Sequence, residues 1–412
     1  MTKFNRRGFM SVAGIAAAET AFSPLVAART NRSDAPATLT GNGEWTYEVV
    51  PGWGSLPSGM SFGGTHGAVA QDNAGNIYVS TQSATGVLVY NRSGSLVRTI
   101  ANAYPEVHSM VHAEEHGEEF FYTTVQKGTP AENWLFIKMK TDGTVVMKIT
   151  APREAGFKTP NDWRLTAAVP APDGSIFIAN GYGDSRIFRF DKHGNYKGSF
   201  AEKGNREGQL DCSHGLTLDL RYRQPLLMVC DRENRRLCHF DLDGKYVGTV
   251  AEHLRRPCQV SFSGDYAVVS ELEGRVTVLD GDNVRIAFLG DNPQTTQWAN
   301  YELDPHDIKA DCSARRMAAW SIRIETSSFP IGTARAGSQN SPGAESEGWN
   351  HRPTVRKNSG YRSEKPLPHE GVGRTDNTPD VRLEVTDSIL LLLERAYKSS
   401  PGKTHFSRPG AT

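Results

Sequence analysis

The sequence carries no excess of either charge: 46 Lys and Arg stand against 46 Asp and Glu over 412 residues, so the formal net charge is zero. Proteins that hold nucleic acid or an anionic membrane surface present a basic face, and this composition offers no case for one. Cysteine is scarce. The five present (Cys212, Cys230, Cys238, Cys258 and Cys312) are too few and too odd in number for a disulfide scaffold. Long apolar runs are lacking too: the Ala-rich stretch 11–27 contains Glu19, and the apolar stretch near 388–398 is shorter still. Neither reaches the roughly 20 residues that cross a bilayer as a helix. What abounds is glycine, 40 residues, roughly a tenth of the chain against an average near 7%. Many tight turns follow, which favours an all-β architecture.

The first 28 residues read as an address. Asn5-Arg6-Arg7-Gly8-Phe9-Met10 has the paired arginine, Phe and apolar residue of a twin-arginine export signal, ahead of a weakly apolar run that ends in small residues at 26–28. Residues 29–44 read as a polar tether. Export would deliver the chain to an oxidising periplasmic or extracellular space.

One phrase recurs through the middle of the chain: an apolar strand, Asp-x-x-Gly or a variant of it, a second apolar strand, a turn, then a third strand closed by another Gly turn. It runs from His66 through Asp72 and Gly75 to Gly94, again from Leu165 through Asp173-Gly174 to Gly194, and again from His214 through Asp219 and Asp231 to Gly244. Divergent copies begin near His108 and Cys258, and a last one opens at Pro305-His306-Asp307-Ile308. The starts at 66, 108, about 166, 214, about 259 and 306 lie 42 to about 58 residues apart, in the range of propeller blades. A single blade cannot bury both faces of its sheet, so six packed radially share their cores. The expectation is an all-β, six-bladed β-propeller of NHL type over 45–311, with an incomplete last blade. After Asp311 the periodicity stops. Residues 312–412 are rich in Ser, Gly, Pro and Arg, and read as an irregular, disordered region, either the product of a shifted reading frame or a natural extension.

The first strand of each blade lines the central channel, so equivalent positions in different blades converge. Val107-His108-Ser-Met110, Ser213-His214-Gly-Leu216 and Pro305-His306-Asp-Ile308 place a histidine at three such positions, with His66 as a spare candidate in the first blade. Three imidazoles converging in a channel suit a catalytic zinc, which needs neutral nitrogen ligands and one open position.

Asn180-Gly-Tyr182-Gly-Asp-Ser-Arg186, Gly208-Gln-Leu-Asp-Cys-Ser-His214 and Asp231-Arg232-Glu-Asn-Arg-Arg-Leu-Cys238 resemble, in order and spacing, motifs of the peptidyl-α-hydroxyglycine α-amidating lyase family. The resemblance is clear over 165–310 and faint over 60–160. It implies a six-bladed NHL propeller with zinc on His108, His214 and His306, and with Tyr182 and Arg232 as catalytic residues. It further implies calcium held by Asp307 and by backbone carbonyls near His66 and Met110. The substrate implied is a small molecule or peptide carrying a carbinolamide, cleaved at its N–C bond to an amide and glyoxylate. Two departures stand out: no arginine follows the second strand of the first blade (Val79 to Ala84), and the position after Tyr182 is Gly183 where the family carries a cysteine. Cys238 matches a family cysteine; neighbouring-strand spacing permits but does not require Cys230 to face it across the hairpin, and the disulfide pairing stays open. The competing readings are a non-catalytic NHL propeller that binds protein or glycan, and a propeller lactonase, a class that relies on carboxylate and amide ligands. Oligomeric state is not legible.

Overall fold

The computed structural model describes residues 39–43, 45–48, 53–54, 56–60, 68–127 and 133–300. These form five four-stranded antiparallel sheets, each with its strands in chain order, and two smaller two-stranded sheets. Blade one is built from Val69–Gln71, Ile77–Ser80, Val87–Tyr90 and Leu96–Ile100. Blade two uses Val107–Glu115, Glu118–Lys127, Asn133–Lys140 and Val145–Ile149. Blade three follows with Ala167–Pro170, Ile176–Ala179, Ile187–Phe190 and Tyr196–Phe200. Blade four comprises Ser213–Asp219, Leu226–Asp231, Arg236–Phe240 and Tyr246–Ala251. Blade five comprises Pro257–Ser263, Tyr266–Glu271, Arg275–Leu279 and Arg285–Leu289. The first strands of successive blades lie side by side from blade one to blade five, which is the inner wall of a β-propeller. Among the described residues there are five blades. The sixth, expected to start at His306, lies outside them.

The turns explain why the repeat folds this way. Asp72 accepts the Asn76 N–H on its carboxylate at 2.7 Å and the Gly75 N–H on its carbonyl at 2.9 Å. Gly75 has φ +83°, a left-handed conformation that favours glycine. Asp191 and Gly194, and Asp241 and Gly244, close the outer hairpins of blades three and four with the same pair of bonds.

Alternation divides each sheet between its two neighbours. Phe121 packs with Tyr78, Val87 and Val89 of blade one, while Phe120 and Tyr122 on the opposite face pack with Ile178 and Phe188 of blade three. Phe177 and Phe240 join blades three and four, and Met228 and Val269 join four and five. The middle strands are therefore buried on both faces, and each large side chain so buried contributes about 1.5–3 kcal/mol.

Both ends of the five-blade array are covered. On blade five, Trp45 and Tyr47 of an N-terminal hairpin (Leu39–Asn42 with Trp45–Glu48) pack over Val268, Val276, Val278, Ala287 and Leu289. On blade one, Trp53 and Leu56 pack over Ile77, Val79, Leu88 and Tyr90. The tether expected over 29–44 thus ends early, because Leu39–Asn42 is a strand whose Thr40 hydroxyl accepts the Gly290 N–H. Helix is confined among the described residues to three-residue 3₁₀ turns. No helix there is long and apolar enough to cross a membrane. The export signal at 1–28 and the region 312–412 lie outside the described residues.

Candidate functional site

His108 and His214 are the second residues of the first strands of blades two and four. Each sits at a break in register: the pairing jumps between Val107 and Ser109, and between Ser213 and Leu216. Such a bulge takes a residue out of the ladder and re-aims its side chain. Blade five has the same break, between Pro257 and Gln259, and carries Cys258 there.

A belt of side-chain to carbonyl bonds joins these positions. His108 Nδ1 lies 2.6 Å from the Thr166 carbonyl oxygen, the Thr166 hydroxyl donates to the Ser213 carbonyl at 2.7 Å, and His214 Nδ1 lies 3.0 Å from the Cys258 carbonyl. A carbonyl only accepts, so Nδ1 carries the hydrogen in both rings and each Nε2 presents its lone pair when the ring is neutral. Two glycines make the approach close enough. A Cβ at Gly215 would stand 2.3 Å from the Cys258 oxygen, and one at Gly181 would stand 2.4 Å from the Ser213 oxygen.

Both Nε2 atoms face one phenol, whose single hydrogen can serve only one of them at a time. Tyr182 Oη lies 2.9 Å from His214 Nε2 and 3.2 Å from His108 Nε2, and it accepts from Arg232 Nη1 at 3.3 Å. The His108 and His214 ring centres are 5.1 Å apart. Tyr182 rides on the turn after the second strand of blade three. The buried Asn180 amide anchors that turn by donating to the Asp162 carbonyl at 2.8 Å and to Asp184 at 2.9 Å. The Tyr182 N–H donates to the Arg164 carbonyl at 3.1 Å. Burial pushes the Tyr182 phenol above its usual range, against the lowering influence of the Arg232 charge. Arg232 also donates to Glu233 at 2.8 Å, and Glu233 takes Arg256 at 2.5 Å.

The structure thus brings together four of the residues singled out in sequence: His108, His214, Tyr182 and Arg232. Met110 lies two positions beyond His108 on the same strand, with its side chain in the apolar core shared with blade one. His66, His306 and Asp307 lie outside the described residues. Among the described residues no group of three or more His, Cys, Asp and Glu could hold a metal ion. Two neutral imidazoles with Nδ1 fixed on carbonyls and Nε2 turned to a common point do fit two of the three nitrogen ligands expected of zinc.

Two neighbours escaped the sequence reading. Trp134 stands edge-on to Tyr182, with ring centres 6.4 Å apart, and the Arg164 guanidinium lies 5.3 Å from the Trp134 ring and 6.0 Å from the Tyr182 ring. Trp134 belongs to the divergent second blade, and Arg164 just precedes the start of the third repeat, so neither falls within a repeated phrase. At the site of the missing first-blade arginine, the Thr81 hydroxyl donates to the Gly86 carbonyl at 2.7 Å and closes its own turn. Gly183 is enforced locally, since a Cβ there would lie 2.4 Å from the Asp162 carbonyl oxygen.

Strand register answers the question left open for Cys230 and Cys238: the two do not face one another. Cys230 is opposite Leu237 and Cys238 is opposite Val229, so the two thiols project from opposite faces of the sheet, Cys230 toward blade five and Cys238 toward blade three. Cys212, Cys230, Cys238 and Cys258 are all free and buried. Burial pushes the thiols of Cys212 and Cys258 up to about 12.

No protein-family model matches the chain. Over 118 residues, 28% of this chain, it is 30% identical to peptidylglycine alpha-amidating monooxygenase of Rattus norvegicus, and equally to its Mus musculus counterpart. The matched stretch spans 11% of the length of those relatives. Among solved structures, a streptogramin B lyase matches with a TM-score of 0.40 at 13% identity, covering 56% of this chain and 70% of that one. A virginiamycin B lyase from Staphylococcus aureus gives 0.39 at 13%, covering 55% and 84%. A gluconolactonase from Xanthomonas campestris gives 0.37 at 12%, covering 53% and 70%.

Proposed function

We propose that this chain is an exported, zinc-dependent lyase that cleaves the N–C bond of a carbinolamide, as in an α-hydroxyglycine, releasing an amide and glyoxylate. The observation that carries the reading is the phenol of Tyr182 held among His108 Nε2, His214 Nε2 and Arg232 Nη1 at 3.2, 2.9 and 3.3 Å. The sequence match to the amidating relatives supports it, as does the order of the motifs around Tyr182, His214 and Arg232.

His108 and His214 are the residues that would hold zinc, with His306 as third ligand from the sixth blade. Asp307 and the backbone of His66 and Met110 are assigned a structural calcium. When bound, zinc acts as a Lewis acid that makes a coordinated hydroxyl easier to deprotonate. The reaction consumes no water: the hydroxyl of the carbinolamide loses its proton, the C–N bond breaks as the C=O bond forms, and the departing nitrogen gains a proton. Tyr182 is the group that handles this proton, because its oxygen is held from several sides and cannot swing away. Arg232 favours negative charge on that oxygen or on the substrate beside it. The belt of carbonyls fixes the tautomer of both imidazoles, so Nε2 faces the site in every turnover.

Glyoxylate release from N-benzoyl-α-hydroxyglycine, measured alongside zinc content of the purified chain, tests the reading. Stoichiometric zinc with glyoxylate release supports it. A folded chain that holds zinc or lacks it, yet releases no glyoxylate, overturns it and favours a propeller that only binds. The lactonase alternative calls for carboxylate ligands, whereas the groups around Tyr182 are imidazole, phenol and guanidinium.

A further inference from the structure

We propose that Arg164, in cation–π contact with Trp134, is a substrate-binding residue that takes a carboxylate and restricts the site to anionic substrates. The inference deepens the lyase reading and rests on it for the location of the site.

The backbone of Arg164 is fixed from both sides: its N–H donates to the Asn180 side-chain oxygen and its carbonyl accepts the Tyr182 N–H. Its side chain is exposed at the edge of the site. The guanidinium faces two aromatic rings, at 5.3 Å from Trp134 and 6.0 Å from Tyr182. A guanidinium at these distances is attracted by the ring faces and keeps its N–H donors available to a further partner.

Like the exposed Arg92, Arg153, Arg223 and Arg285, Arg164 makes no guanidinium hydrogen bond or ion pair among the described residues, but unlike them it lies beside Tyr182. Its neighbours in the blades are matched: Arg186 with Asp184, Arg236 with Asp231, Arg235 with Glu273, and Arg232 and Arg256 with the shared Glu233. One carboxylate, Glu233, therefore serves two guanidiniums beside Tyr182 while Arg164 brings a third. That local excess of positive charge suits an anion, and the planar fork of arginine suits a carboxylate taken through two oxygens.

Trp134 supplies an independent sign. It has φ +50° as the second residue of the third strand of blade two, while the left-handed residues just before the third strands of the other blades are Gly86, Ser185, Arg235 and Gly274. A bulky residue in the left-handed region is strained, and such strain concentrates at functional sites. Here it sets the indole against Arg164 and edge-on to Tyr182. The carboxylate of an α-hydroxyglycine is the group that fits.

The test is calorimetric titration of the full chain with hippurate (N-benzoylglycine) and with its uncharged methyl ester, neither of which turns over. The wild type is expected to bind hippurate at least tenfold more tightly than the ester. Arg164→Gln should lose at least tenfold in hippurate binding and change ester binding less than twofold. Arg164→Lys, which keeps the charge but not the fork, should fall between. Equal loss for both ligands, no loss in Arg164→Gln, or no preference in the wild type would each overturn the proposal. The lyase reading fails separately: if hippurate binding depends on Arg164 but N-benzoyl-α-hydroxyglycine yields no glyoxylate, only the reaction is wrong. If glyoxylate appears with a kcat/KM unchanged by Arg164→Gln, only the role of Arg164 is wrong.

Discussion

Tyr182 Oη and His214 Nε2 are 2.9 Å apart although the two residues are 32 positions apart and belong to different blades. The contact exists because the turn after one blade's second strand overhangs the bulged first strand of the next. Tyr182, His108 and His214 are placed by such turns and bulges, so a change to the turn or the bulge moves these side chains without replacing any of them.

Tyr182→Phe removes the oxygen and little else. Glyoxylate release should fall by about 10²–10⁴-fold, the usual contribution of a positioned proton-transfer group, while the thermal midpoint shifts by only a few degrees. An unchanged rate would remove Tyr182 from the reaction.

His108→Ala and His214→Ala should each lower bound zinc from near one per chain to near none, measured by elemental analysis on folded protein. Retention of zinc in either variant would count that imidazole out as a ligand.

Gly215→Ala pushes a methyl group into the Cys258 carbonyl that holds His214 Nδ1, with 2.3 Å available. The expected result is destabilisation of about 1–3 kcal/mol from overpacking, together with lost activity that added zinc does not restore. Chemical denaturation and the glyoxylate assay read the two effects.

Acid should destabilise the fold in a defined window. Burial works against the charged form of Asp219, but Arg221 at 2.7 Å and His239 at 3.1 Å more than offset it and hold the carboxyl at about 2. Because the folded value is below the unfolded one, the stabilisation is complete above roughly pH 4 and is lost as pH falls toward 2. Asp219→Asn should therefore be less stable at neutral pH and show a shallower acid transition by circular dichroism.

The four thiols at Cys212, Cys230, Cys238 and Cys258 should react slowly with a thiol reagent in the native state and promptly on unfolding, since all are buried and unpaired with one another. Rapid reaction of several of them at neutral pH would contradict the packing described.

Much of this architecture was legible in the sequence. The spacing of Asp-x-x-Gly turns located the first strands of blades one to five to within a few residues, because those turns need glycine at positive φ and a carboxylate to receive N–H groups. His108 and His214 were legible through recurrence, and Tyr182 and Arg232 through a family resemblance. Trp134 and Arg164 were not, because a left-handed tryptophan and an arginine without a charged partner leave no periodic trace. The cysteine pairing was not legible for a different reason: a single residue of register decides which face a strand residue occupies. The N-terminal strand was missed because its burial rests on Thr40 and on one face of a short hairpin, which polar composition conceals.

The covering of both array ends by one segment has a temporal side. The Asn42 side chain receives the Phe288 N–H across 246 positions, and Thr40 receives that of Gly290 across 250. Among the described residues, partners this distant impose a large loop-closure entropy and are expected to form late. During synthesis the hairpin emerges first and waits, its tryptophan unsheltered, until the fifth blade is complete. A chain released before residue 285 would lack the last strand of blade five and the partners on which the hairpin latches.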